Sequence, residues 1–347
     1  MTTTAKHHHY LPQSYLRSFT DHDGRIVMRR RGSKPVTTGL AVVAGEMELY
    51  SVTLPDGTRD RSAEETLSHF DGTAHAAFES LRSGRIPRQG TDERNAISVF
   101  LGLQMLRTPE RASRLMFASN VVSAVGGVDN INHDSVRKYL REEHLRFEPD
   151  EVEVAAATDL VHAEVHMGLP TKDQQLKLMF EMAVEKFGPL LAGLVWSLET
   201  CRRPLLATCD RLPAIWHEVR DSESCMGSGL LDAEELWVPV DSSSLLVIRR
   251  GGNELVTQVE PKRFRFVNAH LARHCYSAVF HRPGGSDRSD EFRMARHRPS
   301  LRFSCGPRVD DHGNHLTGPR DILHQWVPVR DDLGLATPGN DHRGNAR

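Results

Sequence analysis

The spacing of apolar residues changes along this 347-residue chain, and the change limits the folds open to it. From Ser62 to Phe187, apolar side chains recur every three or four positions, which is typical of amphipathic helices. From Leu194 they stand in short runs between polar turns, which predicts strands. The Arg25–Arg29 segment alternates like an edge strand. The pattern therefore predicts an α+β fold: N-terminal strands, a helical middle and then an antiparallel sheet.

Short sequence signals indicate where helices begin and end. Ser62 followed by Glu65, and Thr171 followed by Gln174, predict two capping boxes. The Gly188-Pro189 pair predicts the end of the second of these helices. We expect one α+β domain over residues 1–282. A C-terminal extension rich in Arg, His and Gly should follow over residues 283–347, disordered from about residue 331.

Composition argues against several classes of protein. The 44 basic and 46 acidic residues nearly cancel, so no global charge attracts nucleic acid or a membrane surface. The sequence has no apolar run of about 18 residues, as a membrane-spanning helix requires. Five scattered cysteines do not form the even set of a disulfide framework. We therefore predict a cytoplasmic protein with no membrane partner.

Two adjacent histidines are the first candidates for chemistry. His8 and His9 precede a short helix that begins near Pro12, where the positive end of the helix dipole disfavours imidazolium. A neutral imidazole can bind a metal ion or accept a proton. Alternatively, one histidine only hydrogen-bonds the buried turn, while the neighbouring histidines face solvent.

An arginine and an aspartate form the second candidate group. Arg107 ends an almost wholly apolar helix, so its guanidinium should pair with an internal partner. It could hold a carboxylate or a phosphate by two hydrogen bonds. A structural ion pair with Glu65 or Asp71 is the alternative. Asp71 could instead join His8 or His9 in a site.

Asp210 follows a predicted strand, at a strand end where loops often carry function. It could act as a metal ligand or as a base. Alternatively, its side chain caps the turn that follows.

Weaker patterns carry less weight. His162 and His166 share a helix face, but Glu164 does not stand where zinc proteases need their glutamate, so we predict a solvated face. His270 and His274 also share a face, yet no third metal ligand is evident near them.

Short motifs stand in a fixed order along most of the chain. They are His8-His9-Tyr10-Leu11-Pro12, Tyr15-Leu16, Phe19, Leu49-Tyr50, Glu65, Asp71-Gly72, Gln104, Arg107-Thr108-Pro109, Trp196, Leu206-Ala207-Thr208-Cys209-Asp210, Pro213 and Asn268. Together these motifs resemble one family, domain of unknown function 4238. The resemblance implies a shared fold over residues 7 to about 280 and a cytoplasmic, mostly bacterial setting, without an activity. We expect Tyr15, Glu65 and Asn268 to support the fold or the site.

These features favour a metal-assisted hydrolase that acts on nucleic acid or a nucleotide. Its catalytic residues would be His9, Asp71, Arg107 and Asp210, and a divalent metal would be bound by His8, His9 and Asp210. Two alternatives stay open. The same residues could form a buried polar network in a non-catalytic binding or regulatory module, or the chain could be a toxin-like or phage-defence effector.

Overall fold

The molecule is described here by a computed structural model. The predicted disorder from residue 331 lies outside the described residues. These are residues 7–47, 49–53, 56–108, 111–112, 115–143, 148–216, 230, 233–284, 289–294, 300–306 and 321–327.

Helices make up most of the middle of the chain. None of the described helices is long and apolar enough to cross a lipid bilayer. A π-helical turn, Ala183–Phe187, joins α7 to α8. The helices are α1 Gln13–Leu16, α2 Ser62–Arg82, α3 Asp92–Leu106, α4 Phe117–Val125, α5 His133–Glu143, α6 Glu151–Met167, α7 Lys172–Met182, α8 Gly188–Gly193 and α9 Pro261–His274.

The two predicted capping boxes have different outcomes. The box at the start of α7 is confirmed: the Thr171 hydroxyl accepts from the amide of Gln174, whose side chain accepts from the Thr171 amide. The box at Ser62 is wrong, because Ser62 is already the first helical residue. The Asp60 carboxylate accepts from the Ser62 amide at 2.8 Å and from the Ser62 hydroxyl at 3.2 Å. The Glu65 side chain is exposed.

The predicted helix end at Gly188-Pro189 is also wrong, because the chain stays helical to Gly193. A Cβ atom at Gly188 would lie only 2.9 Å from the Ala183 carbonyl oxygen and 2.9 Å from Val99 Cγ2. Glycine therefore lets the turn pack closely on α3. Pro189 is the second residue after the π-helical turn Ala183–Phe187.

Strands form two main sheets and three two-stranded ribbons among the described residues. The five-stranded sheet has the order β12-β7-β11-β10-β9, and the four-stranded sheet has the order β3-β2-β13-β8. The ribbons are β1-β4, β5-β6 and β14-β15. The strands are β1 His7–His9, β2 Arg25–Arg30, β3 Val36–Gly39, β4 Gly45–Met47, β5 Val52–Thr53, β6 Arg59–Asp60, β7 Val195–Thr200, β8 Thr208–Cys209, β9 Ala214–Trp216, β10 Glu235–Asp241, β11 Ser244–Arg249, β12 Val256–Gln258, β13 Ala278–His281, β14 Ser300–Gly306 and β15 Asp321–Val327.

The predicted edge strand lies inside a sheet. β2 pairs with β3 on one side and with β13 on the other, so its prediction as an edge strand is wrong. Its second partner, β13, comes from much later in the chain, so the local sequence does not reveal it. The predicted α+β class is confirmed, since the pairs of the two main sheets are antiparallel except for β12 with β7.

Strands β10 and β11, inside the five-stranded sheet, are buried on both faces. Leu246 and Ile248 belong to the core cluster formed with α2, α3 and the N-terminal segment. Leu245 and Val247 belong to the opposite cluster, which α9 covers. A strand covered on both faces has no polar side, which accounts for the continuous apolar runs in the sequence.

The N-terminal segment, residues 7–19, is part of the interior. Leu11, Leu16 and Phe19 are fully buried in the cluster shared with α2, α3 and the five-stranded sheet. The Tyr15 hydroxyl donates to the Pro239 carbonyl at 2.7 Å and accepts from Thr208 Oγ1 at 2.8 Å. This anchoring fixes the positions of His8 and His9.

Candidate functional site

His9 is held by two hydrogen bonds. Its Nδ1 lies 2.9 Å from the Val43 carbonyl oxygen, and its Nε2 lies 2.8 Å from the Gln13 side-chain nitrogen. A carbonyl oxygen can only accept, so Nδ1 carries the proton. Nε2 is therefore an acceptor, and Gln13 donates to it. In this arrangement the ring carries one proton, on Nδ1.

His8 is fully buried and fastens the N-terminal segment to a neighbouring turn. Its Nδ1 accepts from the Tyr50 amide at 3.0 Å and lies 3.9 Å from Glu64 Oε2. The His8 and Tyr50 rings are nearly parallel, with their centroids 5.7 Å apart. These contacts indicate a structural role for His8.

Asp71 and Arg107 form a two-pronged ion pair. Arg107 Nη1 donates to Asp71 Oδ2 at 3.0 Å, and Nη2 donates to Oδ1 at 2.8 Å. The Arg107 side chain is 0% exposed, whereas the Asp71 side chain is 16% exposed. Burial alone would lower the pKa of Arg107. The interactions with Asp71 and Tyr50 are stronger, so the pKa of Arg107 is raised above its ordinary value. The guanidinium therefore stays charged and is committed to a protein partner.

Gln104 extends this pair toward the N-terminal segment. With its amide oxygen facing Arg107, Gln104 accepts from Nε at 2.8 Å and from Nη2, and its nitrogen donates to the Tyr10 carbonyl at 3.1 Å. The Tyr50 hydroxyl donates to the Arg107 carbonyl at 3.4 Å. α2, α3 and the N-terminal segment thus share one polar network.

Asp210 is buried and held by donors from the start of β13. Its Oδ1 accepts from the Tyr276 amide at 2.8 Å, and its Oδ2 accepts from the amides of Ser277 at 2.6 Å and Ala278 at 2.9 Å. The Ser277 hydroxyl donates to Oδ2 at 2.7 Å. Burial raises the pKa of Asp210, and these hydrogen bonds oppose the rise. The carboxylate binds a turn far along the chain, so the predicted cap of its own following turn is wrong.

Tyr10 lies between the two groups. Its carbonyl accepts from Gln104, while its hydroxyl end faces Ser277 and Asp210. Burial raises the pKa of Tyr10, and the charge of Asp210 raises it further. The sequence-predicted residues His9, Asp71, Arg107 and Asp210 therefore lie along one connected region, but their side chains do not point into one cavity.

An open depression of about 300 Å³ lies where the N-terminal segment meets α2. His9 and Asp71 are the predicted site residues that line it. Arg107 is sealed behind Asp71, and Asp210 is buried elsewhere. We call this feature the N-terminal depression. Its lining residues are His9, Pro12, Gln13, Ser14, Glu64, Leu67, Ser68, Asp71 and Gly72.

The predicted metal ligands do not fit a metal ion. Both His9 nitrogens and both Asp210 oxygens have hydrogen-bond partners, and His8 Nδ1 accepts from the Tyr50 amide. Within the part of the chain that the structure describes, no group of three or more His, Cys, Asp or Glu side chains could hold a metal. A zinc site usually has three or four protein ligands.

Two of the three predicted supporting residues, Tyr15 and Asn268, hold elements together. Tyr15 ties the N-terminal segment to β8 and β10. Asn268 of α9 accepts from the Ala207 amide at 2.9 Å and donates to the Leu205 carbonyl at 2.9 Å. Glu65 is exposed and does not line the N-terminal depression.

Sequence reasoning missed four polar residues of the depression: Gln13, Ser14, Glu64 and Ser68. One signal was available for Gln13, since a residue four positions after His9 can return to it through a tight turn. Glu64 and Ser68 lie on the same face of α2 as Asp71, at helical spacing from it.

The two histidine pairs that share a helix face differ. His162 and His166 are exposed on α6, as predicted. The His270 and His274 rings of α9 stack with centroids 4.0 Å apart. His270 Nε2 lies 2.8 Å from the Ile215 carbonyl oxygen, so this ring is bound to β9.

Comparisons with known proteins identify the family. A search of curated proteins and a search of solved structures gave no match. A family model, described as protein of unknown function (DUF4238), matches residues 7–285. This range contains the N-terminal segment, the N-terminal depression and Asp210. The chain therefore belongs to the DUF4238 family.

Proposed function

We propose that this protein binds a small ligand rich in hydrogen-bond donors, such as an amine with hydroxyl groups, in the N-terminal depression. The observation that carries the proposal is the fixed imidazole of His9 in the wall of an open, polar cavity. Small-ligand sites are concave and carry a few well-placed polar groups.

The tautomer of His9 selects the kind of group that can bind. The Val43 carbonyl holds the proton on Nδ1, so Nε2 offers a lone pair. The Gln13 amide donates to that lone pair at 2.8 Å. A ligand O–H or N–H can replace Gln13 there, whereas a ligand oxygen that carries no hydrogen cannot.

The charges around the depression favour the same class of ligand. Glu64 and Asp71 line it, and its described lining residues include no lysine or arginine. The Arg107 guanidinium is fully buried and paired with Asp71. A phosphate group would therefore meet carboxylates, and no cation, among the described lining residues. The lining therefore favours a cation, and it does not favour the nucleotide or nucleic acid that the sequence suggested.

Hydrolysis of the bound ligand is a second candidate function. A histidine whose Nδ1–H is held by an acceptor and whose Nε2 faces a cavity has the geometry of a general base. Once Gln13 is displaced, His9 could take a proton from a water molecule or from a ligand hydroxyl. Such a base contributes roughly 10²- to 10⁴-fold to a rate.

Titration calorimetry with ethanolamine tests the binding proposal. Ethanolamine carries an ammonium group and a hydroxyl. We expect it to bind the wild type, and we expect Glu64→Gln to weaken binding about tenfold, or about 1.4 kcal/mol. Glu65→Gln is the matched control, because Glu65 is the exposed neighbour on the same helix. Binding of inorganic phosphate in place of ethanolamine would contradict the proposal.

The hydrolase candidate needs a separate assay. We expect glycine p-nitrophenyl ester, which carries an ammonium group, to be hydrolysed by the wild type and His9→Gln to reduce the rate about 100-fold. If ethanolamine binds but His9→Gln leaves the rate unchanged, the protein is a binding module and the hydrolase candidate is wrong.

A further inference from the structure

A stacked pair of histidines joins the end of α9 to strand β9, on the opposite side of the five-stranded sheet from the N-terminal segment. The His270 and His274 rings lie 4.0 Å apart with 29° between their planes. His270 Nε2 donates to the Ile215 carbonyl at 2.8 Å, and His274 Nδ1 donates to the His270 carbonyl at 2.9 Å. Each ring is thus satisfied with a single proton, at the nitrogen that faces a carbonyl.

Among the described residues, the charged groups that act on His274 are positive. Arg211, from the segment between β8 and β9, and Arg273, from α9 itself, both disfavour a charged His274 ring, as does His270. The Cys209 thiol of β8 also lines the small cavity of about 10 Å³ beside His274. Burial raises the pKa of that thiol well above its ordinary value, so it stays neutral. The nearby Asp210 carboxylate is directed at the amides of residues 276–278.

We propose that the His270–His274 pair is an acid-sensitive latch that holds β9 against α9 at neutral pH and releases it as the pH falls. A second proton on His274 would place a positive charge against the stacked His270 ring and beside two arginines. The stack and the His270 bond to Ile215 would then be opposed by charge repulsion. This latch is separate from the N-terminal depression and does not depend on the proposed ligand.

β9 is suited to such a release. It is an edge strand that pairs with β10 through three residues, Ala214, Ile215 and Trp216. A short edge strand opens more easily than the strands inside the sheet. The Trp216 ring stacks on Trp237, with centroids 5.5 Å apart and an 18° angle, so opening would change the environment of two indoles.

The sign of the pH effect follows from His274. Burial lowers the pKa of His274 well below its ordinary value, and the neighbouring His270 ring lowers it further. An unfolded chain titrates a histidine near 6.5. Below about pH 6.5 the unfolded state therefore binds a proton that the folded state does not, and stability falls as the pH falls. Above that pH the latch carries no such cost.

Thermal unfolding at two pH values tests the latch. Between pH 7.5 and pH 5.5 we expect the wild-type Tm to fall by about 2–5 °C more than that of His274→Gln. His162→Gln is the matched control, because His162 is exposed on α6, and it should follow the wild type. We also expect an acid-induced change in tryptophan fluorescence that His274→Gln abolishes. Equal pH slopes for the wild type and His274→Gln would overturn the proposal.

An NMR titration of the wild type removes any dependence on how the variant folds. With histidine labelled, we expect the His274 ring to titrate well below the ordinary value of about 6.5. The Ile215 and Trp216 amides should shift with the same midpoint. A His274 midpoint at 6.5, or β9 amides that do not follow it, would overturn the latch.

Discussion

Asp71 and Asp210 are both held by several hydrogen bonds, but different groups hold them. Asp71 pairs with one guanidinium and keeps part of its surface in an open depression. Asp210 is buried and accepts from three backbone amides and a hydroxyl. A carboxylate enclosed by backbone donors fixes the chain around it, whereas one at the wall of a cavity can also meet a ligand. We therefore assign Asp210 to the fold and Asp71 to the proposed binding site.

The largest expected effect tests the structural half of this comparison. Asp210→Ala would leave three buried amides without their acceptor, and each unsatisfied donor costs roughly 1–3 kcal/mol. We expect a loss of about 3–5 kcal/mol in the free energy of unfolding, measured in urea. Asp23→Ala, at an exposed turn, should change it by less than about 0.5 kcal/mol. A loss below about 1 kcal/mol for Asp210→Ala would contradict the structural assignment.

A double-mutant cycle on Asp71 and Arg107 should give an intermediate effect. We expect a coupling energy of about 1–3 kcal/mol between Asp71→Asn and Arg107→Met, because the pair is two-pronged and largely buried. The exposed pair Lys138–Glu142 serves as the control, at 3.7 Å, and should show less than about 0.5 kcal/mol. If the two couplings are equal, the buried pair does not hold α2 to α3.

The smallest effects on stability should come from the depression itself. We expect Glu64→Gln and Gln13→Ala to change the free energy of unfolding by less than about 1 kcal/mol, since both side chains lie at a cavity wall. Glu64→Gln should nevertheless weaken ethanolamine binding. Chemical denaturation and calorimetry on the same preparations separate the two effects. A loss of stability as large as that of Asp210→Ala would place Glu64 in the fold.

Much of the fold follows from local sequence signals. Apolar spacing predicts α2, α3 and α7, and the Thr171 capping box appears as expected. Signals that depend on distant partners fail. β2 is an interior strand because β13 pairs with it, and the helix past Gly188 continues because α3 packs against that glycine.

The candidate site was predictable only in part. The internal partner expected for Arg107 is Asp71, one of the two carboxylates that the sequence offered. The direction in which each side chain points was not predictable, because it depends on how the N-terminal segment packs between α2, α3 and the sheet. That packing turns His9 toward the depression and buries His8.

The most direct test of the binding assignment is the NMR signal of His9 during a titration with ethanolamine. We predict that the signals of His9 Nε2 and the Gln13 side-chain amide shift together, with the same Kd that calorimetry gives. The Ser277 amide, which donates to Asp210, should not shift. Binding of ethanolamine that leaves the His9 signal unchanged would contradict the assignment of the N-terminal depression as the site.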